Sequence, residues 1–327
     1  MTAAPNEPQT PSPPRAALLV AAYNAAEILP RCIDSLLLQQ PDQVVVVNDG
    51  STDGTKEVLE SYPTVTSIHL DKNAGVGNAR NRALEAVVEE VDFIGFIDSD
   101  IVLEPGWLDT LLSDVDWGAY SVACGRVFAA NDGEHWAATL DEAVTKKAFG
   151  SDARKLDPPW REVMYFNYLF KAEVIRKTGE FDSRFRTNAE DSDYFYRCAE
   201  KGFRFFYQPK ARGRHCYPNP TFFGWLRRAY RNGYYTLQFH KKDRTPLLAQ
   251  KKLKSILVVL APILLAGICF AMKSFWPLGI LGCLLLFAGG MQGQRLGWRP
   301  WFGGWARLFG SLAKGIGEIT GWAAKDQ

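Results

Sequence analysis

None of the six cysteines, Cys32, Cys124, Cys198, Cys216, Cys269 and Cys283, forms a C-x-x-C pair with another. That absence argues against a zinc ribbon or a thioredoxin-type site, and a reducing compartment is the simplest setting. No glycine follows the first strand-like run, Ala16 to Ala22, which leads into Tyr23-Asn24. A dinucleotide fingerprint would need G-x-G-x-x-G there, so nicotinamide chemistry is set aside. Histidine is scarce, and His69, His135 and His240 have no evident partners in the sequence. Residues 1–14 hold five prolines and no apolar run of the signal-peptide kind, and are expected to form a disordered leader. Net charge is small, at +2. It conceals an asymmetry: residues 251–327 carry nine Lys/Arg against two Asp/Glu, while the rest carries 29 against 34. A mildly acidic body with a basic, apolar tail speaks against nucleic-acid binding and for a head held on an anionic membrane surface.

What is present is a globular composition, 47% hydrophobic and 23% charged over 327 residues. At roughly 150 residues per domain this suggests about two units. Ala16–Ala22 and Val44–Val47 are continuous apolar runs, as expected of strands buried on both faces of a parallel sheet. Helical spacing of Ile28, Leu29, Cys32, Ile33, Leu36 and Leu37 lies between them. Further helices are expected around 56–60 and 79–90, and strands at 66–70 and 93–97. The βαβαβαβ order predicts a parallel α/β sheet. Beyond residue 105 the pattern loosens: a helix near Trp107–Leu112, strands at 121–128, 164–170 and 203–207, and a helix at 191–201. Two stretches of 17 residues without charge, Ile256–Met272 and Phe275–Met291, follow an aromatic and basic segment at 221–240.

Ligands of open α/β sheets bind at the carboxyl ends of the strands, so the polar residues there matter most. These are Tyr23-Asn24, the run Asn48 to Thr55, the run Asp71 to Asn81, and Asp98-Ser99-Asp100. Helix capping accounts for Ser51 and Thr52 but less well for Asp49, which directly follows a buried strand. Asp98 and Asp100, taken as i and i+2 of an extended segment, are expected to face one way. Two such carboxylates are costly unless satisfied, and hard oxygen ligands at this spacing suit Mg²⁺ or Mn²⁺ bridging phosphates. Glu190-Asp191-Ser192-Asp193 opens a helix. Dipole compensation explains Asp193, while Glu190 and Asp191 lean towards function because no other general base is evident. His215 reads as a third metal ligand, a neighbour of a diphosphate, or part of a partly exposed basic loop.

In order, these segments resemble family 2 glycosyltransferases of the GT-A fold. The matching pieces are Tyr23-Asn24, Val47 to Thr55, Asn73-x-Gly75-x-x-x-Ala79-Arg80-Asn81, Phe96 to Asp100, Gly179-Glu180-Phe181-Asp182 and Glu190-Asp191. The resemblance implies an α/β, Rossmann-like and mostly parallel GT-A domain over 15–220. It implies that Ala21, Tyr23 and Asn24 line the nucleotide pocket near the base. Asp49 would accept a hydrogen bond from the base, with Gly50 and Arg80 also on the nucleotide. Asp98 would approach the ribose or metal side, Asp100 would hold Mg²⁺ or Mn²⁺ on the diphosphate, and Asp191 would be the catalytic base. His215 matches a position often near metal or diphosphate. Ala21-Ala22 stand where the family often has Pro-Thr or Pro-Ser, and the Q-x-x-R-W motif of processive synthases is absent after residue 217. One sugar per encounter is therefore expected, moved from a nucleotide-diphospho-sugar, with a UDP-sugar favoured, to a lipid-linked or glycan acceptor. The rivals are a nucleotidyltransferase, a noncatalytic sugar-nucleotide sensor on the membrane, and transfer to a polyprenyl phosphate.

The tail completes the expected organisation. Residues 221–250 would form an interfacial aromatic and basic helix, 251–294 a transmembrane or re-entrant helical hairpin, and 295–327 an amphipathic interfacial tail. Each apolar stretch would be about 26 Å long as a helix, the short end of a span. Lys251, Lys252 and Lys254 precede the pair, and Arg295, Arg299 and Arg307 follow it. Both ends are thus expected at the cytoplasmic face of the cell (inner) membrane.

Overall fold

The computed structural model describes residues 13–87, 91–129, 150–159, 166–216 and 222–242, together with 313, 314 and 316. The expected leader up to residue 12, the expected membrane hairpin at 251–294 and nearly all of the tail after it lie outside the described residues. Among those described, no helix is long and apolar enough to cross a membrane.

Among the described residues nine strands form one sheet in the order β3-β2-β1-β4-β8-β6-β9-β5, with β7 on β9. They are β1 Ala16–Ala22, β2 Gln43–Asn48, β3 Thr66–His69, β4 Phe93–Asp98, β5 Ile101–Leu103, β6 Val122–Ala129, β7 Arg154–Leu156, β8 Asn167–Lys171 and β9 Phe205–His215. Helices are α1 Leu29–Leu37, α2 Thr55–Glu60, α3 Val76–Glu85, α4 Trp107–Asp114, α5 Ala172–Thr178, α6 Glu190–Glu200 and α7 Phe222–Lys242. β1 lies between β2 and β4, parallel to both. That central place explains why its sequence is apolar throughout: Leu18 and Val20 enter the core under α1 and α4, while Ala17 and Leu19 enter the one under α3, α5 and α6.

The expectation of a mostly parallel sheet is corrected to a mixed one. Four strand pairings are parallel and four antiparallel among the described residues. The parallel half, β3-β2-β1-β4, comes from the βα repeat, where helical crossovers keep each strand in the same direction. After β4 the chain turns at Ser99-Asp100 straight into β5, and β8 returns antiparallel on β4.

β9 is much longer than the expected 203–207 strand and runs on to His215. Its register against β6 shifts between Gly125 and Arg126, so that Gln208 and Arg212 oppose successive residues. A β-carbon on Gly125 would lie 2.3 Å from the Ala211 carbonyl oxygen, so glycine is needed where the bulge presses in. Past the bulge, β9 pairs with β5 and sets His215 opposite Ile101.

Candidate active site

The carboxyl ends of β1 to β4 open on one edge, and their loops are stitched together by side chains. Asn24, in the left-handed region at φ 50°, accepts from the Thr52 amide at 2.8 Å, and its own amide donates to Ser51 Oγ at 2.9 Å. Asp53 accepts from the amides of Ala26 and Thr55. Tyr23 stays half exposed beside this seam.

Asp49 ties the second loop to the third. One carboxylate oxygen accepts from the Ala74 amide at 2.7 Å, the other from the Gly75 amide at 2.9 Å and Asn73 Nδ2 at 3.1 Å. Three of roughly four lone-pair positions on a carboxylate are thus engaged. Burial raises its carboxyl above the ordinary aspartate range, opposed by the two amides and by Arg186. Gly50 has φ 65°, and a β-carbon there would sit 2.3 Å from the Lys72 carbonyl carbon. Its place in the motif therefore has a backbone cause, the close approach of the Lys72-Asn73 peptide.

Arg80 is 4% exposed and stands one turn into α3. Its guanidinium donates to Asp98 Oδ1 and to Glu190 Oε1, both at 2.8 Å, and lies 4.0 Å from the centre of the Phe166 ring. The sequence grouped Arg80 with Asp49 and the nucleotide base; its hydrogen bonds join the end of β4 to the start of α6. Asp98 Oδ2 accepts from the Phe166 amide at 2.9 Å. Glu190 Oε2 is buried with no hydrogen-bond partner among the described residues. Burial is the largest influence raising the Asp98 carboxyl to about 6, with Arg80 opposing and Asp100 adding. Burial likewise raises Glu190 to about 7, helped by the charge of Asp191 and opposed by Arg80. Asp191 is also raised, by burial, against Arg80. The residue before this helix, Ala189, has φ 71°, a left-handed conformation that an L side chain rarely adopts.

Asp100 sits in the turn after β4, not in an extended segment. The parity argument that aimed it with Asp98 therefore does not apply; the turn is what brings the two carboxylates close enough to feel each other's charge. Its carbonyl accepts from the Cys216 amide at 2.7 Å, and its Oδ2 is 3.0 Å from His215 Nε2. His215 is 3% exposed at the end of β9, which replaces the reading of a partly exposed basic loop. Burial alone would raise the Asp100 carboxyl, but the charge and hydrogen bond of His215, with the charge of Arg228, hold it below the ordinary range.

Among the described residues, no three His, Cys, Asp or Glu side chains are arranged to hold a metal ion. Magnesium and manganese often use only one or two carboxylates, the rest of the shell coming from water and substrate phosphates. Asp100 with His215 fits a site of that kind, not an all-protein cage. Ala21, partly exposed between the buried Val20 and Ala22, stands beside Asp98 in the strand register. Sequence reasoning missed Phe166, whose amide and ring frame Asp98 and Arg80, and Arg228 on α7. An aromatic before a strand gives no such signal on its own.

Residues 17–179 match the family model described as Glycosyl transferase family 2. The pre-mycofactocin glycosyltransferase of Mycobacterium tuberculosis (strain H37Rv) is 28% identical over 64% of this chain and 44% of its own length. The fold resembles the crystal structure of S. aureus TarS, with TM-score 0.52 and 17% identity over 73% of this chain and 41% of that one. It also resembles GalNAc-T7, solved with UDP, GalNAc and Mn²⁺, with TM-score 0.50 and 14% identity over 62% of this chain and 43% of that one. The chain spans less than half the length of this relative and of either solved chain. With the motifs of the four loops and the acidic start of α6 in place, residues 17–179, just under half of the chain, are similar to glycosyltransferase family 2.

Proposed function

We propose that the protein moves one sugar from a nucleotide-diphospho-sugar to a hydroxyl of a membrane-associated acceptor, lipid-linked or glycan, inverting the anomeric carbon. UDP, present in one neighbour of this fold, is the first nucleotide to try. The observation that carries the reading is the junction of Asp98, Arg80, Glu190 and Asp191 at the carboxyl edge of the sheet. It sets the first turn of α6 against the end of β4, so a base and a donor-side acid share one frame. Asp191 takes the acceptor hydroxyl's proton as its oxygen bonds to the anomeric carbon, and the bond from that carbon to the diphosphate oxygen breaks. A base whose carboxyl is raised by burial is better matched to that proton at neutral pH.

Asp98 fixes the donor on the β4 side, while Asp49 and Asn24 hold the loops that receive the nucleotide. A Mg²⁺ or Mn²⁺ ion, when held by Asp100 with His215 beside it, would supply charge neutralisation to the leaving diphosphate. The proposed place of action is the cytoplasmic face of the cell membrane. The basic residues flanking both ends of the apolar pair support it.

The test is a panel of sugar nucleotides with Mn²⁺ or Mg²⁺, followed by Asp191→Asn on the donor that is consumed. The variant is expected to keep nucleotide affinity and to lose about 100-fold or more in turnover. Failure of every sugar nucleotide to bind or react would overturn the reading. Unchanged turnover in Asp191→Asn would mean that the acceptor is already an anion, as a polyprenyl phosphate is.

A further inference from the structure

The strand that ends in His215 also carries a basic face that the proposed reaction does not use. In β9, Ala211 lies in the core under α4, so Arg212 and Arg214 point to the other side of the sheet. In β6, Ala123 and Val127 enter that same core, whereas Val122 and Cys124 enter the one under α6. Arg126 and Phe128 continue the Val122 and Cys124 side. The register sets Arg126 opposite Arg212 and Phe128 opposite Arg214. The guanidinium carbons of Arg126 and Arg212 lie 4.4 and 4.6 Å from the centre of the one Phe128 ring. Glu104 is 3.5 Å from Arg212 and 3.3 Å from Arg214. Among the described residues, no carboxylate pairs with Arg126. Three cations therefore meet one carboxylate, and two of the three gather on one ring.

Like charges held together in this way repel, and attraction to the ring offsets only part of that. An anion bound between them removes the cost, and two planar guanidinium forks match phosphate oxygens. The place also fits the proposed reaction. His215 follows Arg214 and is 3.0 Å from Asp100, and Arg212 lies three residues before His215, about 10 Å along the strand. The arginines stand on the α6 side of the sheet, and α6 is the helix that bears Asp191 in its first turn. Resting on the proposed transfer reaction, we infer that Arg126 and Arg212, with Arg214 beside them, bind a phosphate carried by the acceptor. The occupant is a lipid phosphate or diphosphate. Half-buried Phe128 and Val102, each opposite Arg214 in the register, set apolar surface beside the charges, as such a molecule needs. The phosphate serves as a handle, and the hydroxyl that reacts lies elsewhere on the acceptor.

The test is calorimetric binding of geranyl diphosphate and geraniol to the full-length protein in detergent. EDTA is present, so that no cation can bridge the probe to Asp100. No sugar nucleotide is added, so the outcome does not depend on transfer, which the sugar-nucleotide panel judges separately. The diphosphate is expected to bind at least tenfold more tightly than the alcohol. Arg126→Gln and Arg212→Gln should each weaken the diphosphate at least fivefold and leave geraniol unchanged. Arg227→Gln, exposed on α7, should change neither. The urea midpoint of Arg126→Gln should stay at or above that of wild type, because a repelling charge is removed. A lower midpoint would make Arg126 a structural residue and overturn the inference. Equal affinity for diphosphate and alcohol, or undiminished diphosphate affinity in the double variant, would overturn it too. So would phosphatidylglycerol in the same micelles binding as tightly as geranyl diphosphate and losing as much in the variants, since the face would then hold the bilayer, not the acceptor.

Discussion

At the scale of single residues, the unusual feature is one guanidinium serving more acid than it can neutralise. Arg80 bonds Asp98 and Glu190, and Asp191 is close enough to act on both by charge. One positive charge among three carboxyls favours retention of a proton. Glu190 is its natural seat, because its Oε2 is buried without a partner among the described residues and a neutral oxygen is less costly to bury than a charged one. Such buried pairs are weak stabilisers, so their value here lies in fixing the first turn of α6 against β4. The sign of the pH effect follows. Glu190 titrates at about 7 when folded against an ordinary 4.5. Between those values the folded state holds more protons than the unfolded one, so this group lowers stability as pH rises through that window. Below it, both states are protonated and the penalty vanishes. Glu190→Gln keeps the shape and cannot ionise. Urea denaturation of both proteins at pH 5 and pH 8 should show the variant gaining on wild type at the higher pH. A difference that stays constant, or moves the other way, would show that Glu190 is ionised in the fold.

At the scale of elements, the site is a set of loops whose geometry depends on close backbone approaches. Gly50 and Gly54 belong to the same Asp-Gly-Ser-Thr-Asp-Gly run, yet only one of them is constrained. A methyl on Gly50 meets the backbone of Lys72 and Asn73 at 2.3–2.6 Å, with φ 65° besides, whereas the nearest atoms to one on Gly54 are 3.7 and 3.9 Å away. Gly50→Ala is therefore expected to cost at least about 2 kcal/mol, and Gly54→Ala no more than about 0.5 kcal/mol. Denaturant midpoints of the two variants check this; equal shifts would mean that the third loop yields to the methyl. The first two strands were legible because Ala16–Ala22 and Val44–Val47 are almost wholly buried and show it as unbroken apolar runs. The far end of β9 was not. Ala211, Gly213 and His215 alternate inward against outward Lys210, Arg212 and Arg214, but Pro209 and Gly213 are poor strand formers and mask the period. The motif acids were legible singly. Their bonding was not, since Arg80 and Glu190 are 110 residues apart and nothing local marks one as the other's partner.

At the scale of the whole molecule, the proposed reaction at a membrane-associated acceptor asks for an anchor near the active edge. α7 seats its Asn232 face on the catalytic domain and leaves Phe223, Arg227 and Arg231 outward. An aromatic and two arginines on one exposed helical face suit a surface of anionic headgroups. The chain then leads to Ile256–Met272 and Phe275–Met291, 17 residues each without a charge. As helices these are about 26 Å long against a hydrocarbon layer of about 30 Å, enough to embed with modest thinning or as a re-entrant pair. Either form buries apolar surface that salt cannot release, whereas attachment through Arg227, Arg231 and the basic tail alone would be screened. The full-length protein is thus expected to stay in the pellet when membranes are washed first with 1 M salt (where screening acts within about 3 Å) and then with alkaline carbonate. Release by salt would leave only the charged face of α7 and the tail as the anchor. Retention through salt followed by release in carbonate would place the apolar pair against protein, not lipid. Only retention through both washes agrees with an embedded pair. In that case a lipid-linked acceptor, as proposed, would reach the Asp191 edge from the membrane side.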